Sequence, residues 1–251
     1  PTAMPIRLPL LPADPEAPFP PADGAHRVPN GLLAMGGDLS PARLLNAYRH
    51  GIFPWFSEGE PILWWCPDPR MVFDTGAFRL ASRFRRSLRG SAWEVRADTA
   101  FDRVVLACAL TPRPGQDGTW ITRDMMDAYG ELHRLGHAHS VEVYDGRRLV
   151  GGIYGVGIGR MFFGESMFSG VSGGSKVALA GLCRILAEGG CPLLDAQVEN
   201  PHLASLGGRL LPRPEFLAEV ARLAGAPAPA GLWAPAATRF PAAALNASAR
   251  D

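Results

Sequence analysis

Several large protein classes leave marks that this 251-residue sequence lacks. Its four cysteines, Cys66, Cys108, Cys183 and Cys191, have neither metal-ligand spacing nor the density of a disulfide framework. No apolar run approaches the roughly 20 residues that cross a bilayer as a helix, and no charged-then-apolar stretch reads as a secretory signal. Charge of one sign is not in excess either, with 25 Lys and Arg against 24 Asp and Glu. The chain as a whole therefore offers no steering field for a polyanion, and any nucleic-acid site has to be a local patch. No internal repeat is evident. What remains is a globular chain suited to a reducing, cytoplasmic setting, expected to fold as one main domain with an appendage. The opening Pro1-Thr2-Ala3 ahead of Met4 reads as a cloning scar rather than a native start.

Residues 5–30 are rich in proline and poor in periodicity, which predicts an extended, irregular lead-in. Ser40-Pro41 then starts a helix with Leu44, Leu45, Ala47 and Tyr48 on its apolar side, stopped at Gly51. Between Phe78 and Arg89, Arg79, Arg83, Arg85, Arg86 and Arg89 alternate with Phe78, Ala81, Phe84 and Leu88 at helical spacing, predicting an amphipathic basic helix. A further helix is expected over 124–135, with Thr122 as N-cap. Period-two runs over 140–144, 149–154 and 161–167, the first two joined by Asp145-Gly146, predict an antiparallel meander. Gly173-Gly174-Ser175 opens a helix to about Glu188, a strand returns over 193–198, and a last helix covers 214–224. Meander, helix and further strand give the fold class α+β. The domain reading is 1–69 as a small N-terminal unit with its Pro-rich lead-in, 70–235 as the main domain and 236–251 as a loosely held Ala/Pro-rich tail.

Two of these runs, Phe162 to Ser169 and Leu193 to Gln197, read as buried strands that each carry a carboxylate, Glu165 and Asp195. A buried acid is costly unless it is paired, hydrogen-bonded or used, so both are candidate catalytic groups as well as candidate satisfied core residues. Asp195 and Gln197 share a parity, which would turn both side chains to one face of the strand. Phe162, Phe163, Met167, Phe168 and Ile153 could line an apolar pocket or simply fill the core. Trp55 and Trp120 stand outside the core pattern, as base-stacking surfaces or interdomain plugs. The five arginines of the basic helix suit phosphate contacts without base readout, or a solvated face. Ser172-Gly173-Gly174-Ser175-Lys176 before a helix could cradle a phosphate, although it lacks P-loop spacing. His137 and His139 form a His-x-His pair with no third ligand motif, His202 being expected in a loop, so no metal is expected.

The ordered runs PNGLLAMGGDLS (29–40), YRHGIFPWF (48–56), ILWWCPDPR (62–70), GTWITR (118–123), LGHAHS (135–140), GGIYG (151–155), FFGESMFS (162–169), Ser175-Lys176, Asp195-Ala196-Gln197 and HLASLG (202–207) together resemble the leucyl/phenylalanyl-tRNA–protein transferases. The resemblance covers about residues 28–218. It implies a GNAT-like acyltransferase domain behind a small N-terminal domain. It also implies an aminoacyltransferase that moves Leu or Phe, with Met as a further candidate, from aminoacyl-tRNA to an N-terminal Arg or Lys, marking proteins for degradation by the N-end rule; the enzyme is expected to need no cofactor and to be a monomer, although the sequence itself does not tell the oligomeric state. Asp195, Gln197 and Glu165 then fall at catalytic positions, Ile153, Phe162 and Met167 at the aminoacyl side-chain pocket, Trp55 and Trp120 at the adenosine, and Arg79, Arg83, Arg85, Arg86 and Arg89 at the tRNA backbone. Ile153 departs from the Met or Leu usual in the family, and Gly174 from its usual Ala. The rival readings are an acyl-CoA-dependent small-molecule N-acyltransferase of the same fold and a non-catalytic tRNA-binding module.

Overall fold

The computed structural model describes residues 6–112 and 119–246. Pro1-Thr2-Ala3, Gly118 and the last five residues lie outside the described residues. Of the lead-in, only β1 (Leu10–Leu11) becomes a strand, and it joins β2 (Leu32–Gly36). Helix α1 (Pro41–Arg49) starts as its sequence predicts: Pro41 takes the first position, and the Arg43 N–H donates to Ser40 Oγ at 3.3 Å. Past α1, β3 (Phe53–Pro54) and β4 (Leu63–Trp65) complete a four-stranded sheet in the order β1-β2-β4-β3.

The second sheet has eight strands. In chain order its part of the molecule runs β5 (Arg70–Asp74), α2 (Ser82–Ser87), β6 (Trp93–Ala97), α3 (Phe101–Leu110), α4 (Arg123–Arg134), β7 (Ala138–Asp145), β8 (Arg148–Ile158), β9 (Met161–Ser169), α5 (Gly174–Glu188), β10 (Leu193–Gln197), α6 (Pro201–Ser205), β11 (Arg209–Leu211), α7 (Arg213–Ala224), α8 (Pro235–Thr238) and β12 (Phe240–Pro241). The order across the sheet is β11-β5-β10-β9-β8-β7-β6-β12. Its neighbours pair antiparallel except β9 with β10, which α5 connects and which run parallel. The expected α+β, GNAT-like order of meander, helix and returning strand is thus present.

Period-two alternation splits the core between the faces of this sheet. Val141, Val143, Ile153, Phe162 and Leu194 pack on the α5 side, with Val177, Leu182 and Leu186. Tyr154, Val156, Phe163 and Leu193 pack on the other side with Phe101 and Val104 of α3, Met125 and Tyr129 of α4, and Leu44 and Tyr48 of α1. That second cluster runs on without a break into Leu33, Phe53 and Trp64 of the first sheet.

Two expectations need correction. The basic helix is shorter than its periodicity suggests: α2 covers Ser82–Ser87 and gives way to a 3-10 turn at Leu88–Gly90, while Arg79 lies before it and caps the carbonyls of Gly76 and Phe78. The tail from 236 onward is not loosely held, as far as it is described. Phe240 and Pro241 pair with β6, Thr238 and Ala242 are buried, and a short 3-10 turn over Ala242–Asn246 follows. Ala and Pro lowered its apparent order, but its few larger apolar residues suffice to close the sheet edge. Apart from these, α3 and the strands β5, β6 and β11 carry no expectation from the sequence; the strands are only three to five residues long, too short for a clear periodic signal.

Candidate active site

The candidate catalytic side chains sit where three strands lose register together. β9 and β10 pair from Leu193↔Met161 to Asp195↔Phe163. Beyond that point Tyr154 opposes Ser166 while Gly155 opposes Gly164, so Glu165 is the extra residue of a β-bulge on β9. On β10 the partners jump from Asp195↔Val72 to Gln197↔Met71, leaving Ala196 as a second bulge. Gly155 is required at the first: a Cβ there would lie 2.1 Å from the Phe163 carbonyl oxygen. At the second, Gln197 takes a φ of 63°, in the left-handed region that non-glycine residues rarely adopt. The expectation that Asp195 and Gln197 share a face by strand parity is therefore wrong. The bulge breaks the period, and the two are joined instead by a hydrogen bond from the Gln197 N–H to Asp195 Oδ1 at 2.9 Å.

The two carboxylates have opposite surroundings. Asp195 is fully buried and clamped by Arg70 of β5, whose Nε donates to Oδ1 at 2.9 Å and whose Nη2 donates to Oδ2 at 2.7 Å. Both oxygens are engaged. Glu165 is also buried, but it faces no cation at hydrogen-bond distance. Its Oε1 accepts from the Tyr48 hydroxyl of α1 and from Gln197 Nε2 at 2.9 Å, and its Oε2 is buried without a hydrogen-bond partner. Burial pushes the carboxyl up to about 8, assisted by the Asp195 charge and opposed by the two hydrogen bonds and by Arg70. The Tyr48 hydroxyl bonds in turn to that of Tyr129 on α4, and desolvation first, then the charge of Glu165, raises both phenols well above their usual range. Both therefore stay protonated and able to donate.

A cavity of about 70 Å³ opens beside Glu165, lined by Ile153 and Met167 as expected and by Phe73, Leu179, Leu194 and Leu203. Phe162 is not among its lining residues. It shares the face of Ile153 and Leu194, but it stands opposite Gly157, further along the sheet, where its ring packs 5.6 Å from that of Trp233. The sequence also gave no separate signal for Arg70, Tyr48 or Tyr129. Arg70 closes the ILWWCPDPR run, and Tyr48 opens the YRHGIFPWF run and otherwise counted as part of an apolar helix side.

The remaining candidates are dispersed around this centre. Trp55 is exposed between β3 and β4, its ring 5.4 Å from that of Trp65, and Trp120 is half-buried just ahead of α4. Arg79, Arg83, Arg86 and Arg89 are exposed and Arg85 is half-buried, and among the described residues none of the five has a carboxylate partner. The glycine turn before α5 is filled rather than open. Gly174 N–H donates to Val171 O, Ser175 N–H to Ser169 Oγ and Val177 N–H to Gly173 O, which removes most of the donors a phosphate would need. His139 holds Asp98 through Nδ1 at 2.7 Å and stacks on Trp233 at 4.1 Å, a scaffold role, while His202 is in α6 rather than a loop.

Comparison of the sequence with known proteins finds relatives over most of the chain. The family model described as "Leucyl/phenylalanyl-tRNA protein transferase" matches residues 72–221, and the model of that family's N-terminal domain matches residues 37–68. A leucyl/phenylalanyl-tRNA–protein transferase of Xanthomonas euvesicatoria pv. vesicatoria (strain 85-10) is 68% identical over 230 residues, covering 91% of this chain and 92% of that protein. The one of Xanthomonas axonopodis pv. citri (strain 306) is 67% identical over 237 residues, covering 94% and 95%. That of Xylella fastidiosa (strain M12) is 64% identical over 214 residues, covering 85% and 88%.

Proposed function

The chain belongs to the leucyl/phenylalanyl-tRNA–protein transferase family, and from that premise we propose that it moves Leu or Phe, with Met as a further donor residue, from aminoacyl-tRNA to the N-terminal Arg or Lys of acceptor proteins. The product is a degradation signal of the N-end rule. The observation that carries the reading is the buried, unpartnered Oε2 of Glu165 beside an apolar cavity. The donor ester is already activated, so the protein has to align it with the acceptor's α-amine, accept a proton and support the tetrahedral intermediate. In the reaction the amine nitrogen bonds to the ester carbonyl carbon, the carbon–oxygen bond to the terminal ribose breaks, and that hydroxyl leaves with a proton.

Glu165 is the group we assign to the amine, because both oxygens of Asp195 are already held by Arg70 or the Gln197 N–H, whereas Oε2 of Glu165 has no partner. The raised carboxyl is largely uncharged at neutral pH, which avoids the cost of a buried anion; a cationic amine beside it favours loss of its proton to solvent, and the carboxylate so formed can take a proton from the amine. A base that titrates near 8 is also well matched to proton transfer at neutral pH. Gln197 steadies the ionised carboxylate and turns its own amide to the intermediate. The donor side chain enters the cavity between Ile153, Met167, Leu179 and Leu203. Trp55 and Trp120 take the terminal adenosine, and the arginines of and around α2 take acceptor-stem phosphates. We propose that it acts as a monomer and in the cytoplasm, the setting of its charged-tRNA donor. Among the described residues no helix is long and apolar enough to cross a membrane.

Acyl-CoA is disfavoured as donor by the filled turn before α5. The deciding assay offers radiolabelled Leu-tRNA or acetyl-CoA to the protein with a peptide that begins with Arg. Label is expected in the peptide from the tRNA alone, and transfer from acetyl-CoA without tRNA would overturn the reading.

A further inference from the structure

We infer that Arg70 is a positioning residue for the transfer, which through its fork on Asp195 holds Gln197 in the left-handed turn that carries the Gln197 amide to Glu165. This rests on the reading of Gln197 given above. Arg70 is completely buried, and its guanidinium is fixed on every side. Nε and Nη2 grip the two oxygens of Asp195, and Nη1 donates to the Gly51 carbonyl at 2.7 Å. Its Cζ also stands over the rings of Phe53 and Phe216, 4.8 and 4.4 Å from their centroids.

The fork leaves Asp195 one orientation, with Oδ1 turned to the N–H of Gln197. That N–H follows the bulged Ala196, in the segment where ladder pairing is disrupted. An unanchored non-glycine residue at a φ of 63° would relax toward extended backbone. Its side chain would then follow the strand's period and leave Glu165. The chain of contacts therefore runs from Arg70 to Asp195, to the Gln197 backbone, to the Gln197 amide and to Glu165. Lysine cannot replace this, since a point-like ammonium does not span both Asp195 oxygens and the Gly51 carbonyl together.

The experiment is a kinetic cycle on the whole protein. Arg70→Lys keeps the charge but loses the fork, and kcat is expected to fall at least about tenfold while KM for charged tRNA and for the acceptor peptide stays within about twofold. Phe216→Leu removes one of the two rings packed on the guanidinium without touching a charge and should lower kcat a few-fold, which keeps the test available if the lysine variant fails to fold. In a Gln197→Ala background neither substitution should slow the enzyme further, because the step they act through is already gone. Parental kcat in both variants, or losses that multiply with that of Gln197→Ala, overturns the inference while leaving the transferase reading intact. A fully active Gln197→Ala protein overturns instead the role of Gln197 on which it rests.

Discussion

Replacing Glu165 by Gln should make the protein more stable at alkaline pH while impairing transfer, and the size of the effect follows from the site. The folded carboxyl titrates near 8, against 4.5 for an ordinary glutamate. Between those values the unfolded chain has given up a proton that the folded protein retains, so unfolding releases a proton and stability falls as pH rises. Each pH unit of that gap is worth about 1.4 kcal/mol, which sets an upper bound of about 5 kcal/mol by pH 8 and above. Glutamine mimics the protonated acid: its oxygen can still accept from Tyr48 and Gln197, and it never ionises. For a chain of about 250 residues each kcal/mol moves Tm by roughly 2–4 °C, so even one third of the bound widens the Tm difference between variant and parent by about 3–7 °C from pH 5 to pH 9. Paired thermal melts across that range, monitored by circular dichroism, read it directly. A Tm difference that stays flat would refute the reasoning, since Glu165 would then carry its charge in the folded state.

Tyr48→Phe removes a donor that holds the Glu165 carboxyl down. A hydrogen bond to a charged acceptor is worth about 1.5–3 kcal/mol, so the limb of kcat/KM that rises with Glu165 ionisation should move up by about one pH unit or more, and an unmoved profile counts against the assignment. Ile153→Ala enlarges the cavity and should shift competition between Leu-tRNA and Phe-tRNA toward Phe, at about 2–5 kcal/mol of stability, whereas an unchanged ratio would put the donor side chain elsewhere. Neutralising Arg83 and Arg86 should weaken binding of tRNAs of different sequence alike and flatten the plot of log K against log salt by about 0.7–0.9 per lost phosphate contact. Trp120→Ala should instead cost about 1–3 kcal/mol of affinity for a minimal aminoacyl-adenosine with the salt slope intact, and a loss in the opposite pattern would exchange the two roles.

Much of this could be read from residue order, and the failures have physical causes. Helices with strong caps were legible: Ser40 and Thr122 both accept the hydrogen bonds their positions suggest. So was the meander, whose long period-two runs the fold keeps as β7, β8 and β9. Bulges were not, because an extra residue such as Ala196 leaves no compositional mark and yet reverses the direction of every side chain after it. Hence Gln197 came to Glu165 by another route than parity. Phe162 misses the cavity for a different reason, since it is on the right face and nothing in the run from 162 to 169 says how far along the strand the opening lies. Arg70 and Tyr48 were hidden because a single residue acting over a long chain separation has no local pattern, and Arg70 lies 125 positions from its partner Asp195.

The hydroxyl of Tyr48 and the carbonyl of Gly51 reach Glu165 and Arg70 from before β5, from the same stretch that ends α1 and leads to Phe53. The front quarter of the chain is thus no detachable adaptor. A fragment beginning near residue 70 would lose a donor on its acid, a carbonyl on its arginine and one wall of the arginine's aromatic slot at a single stroke. Chimeras that exchange front portions between distant transferases should work only when this handful of residues travels as a set. Drift on either side of the junction is then coupled, however far apart the residues stand in the chain.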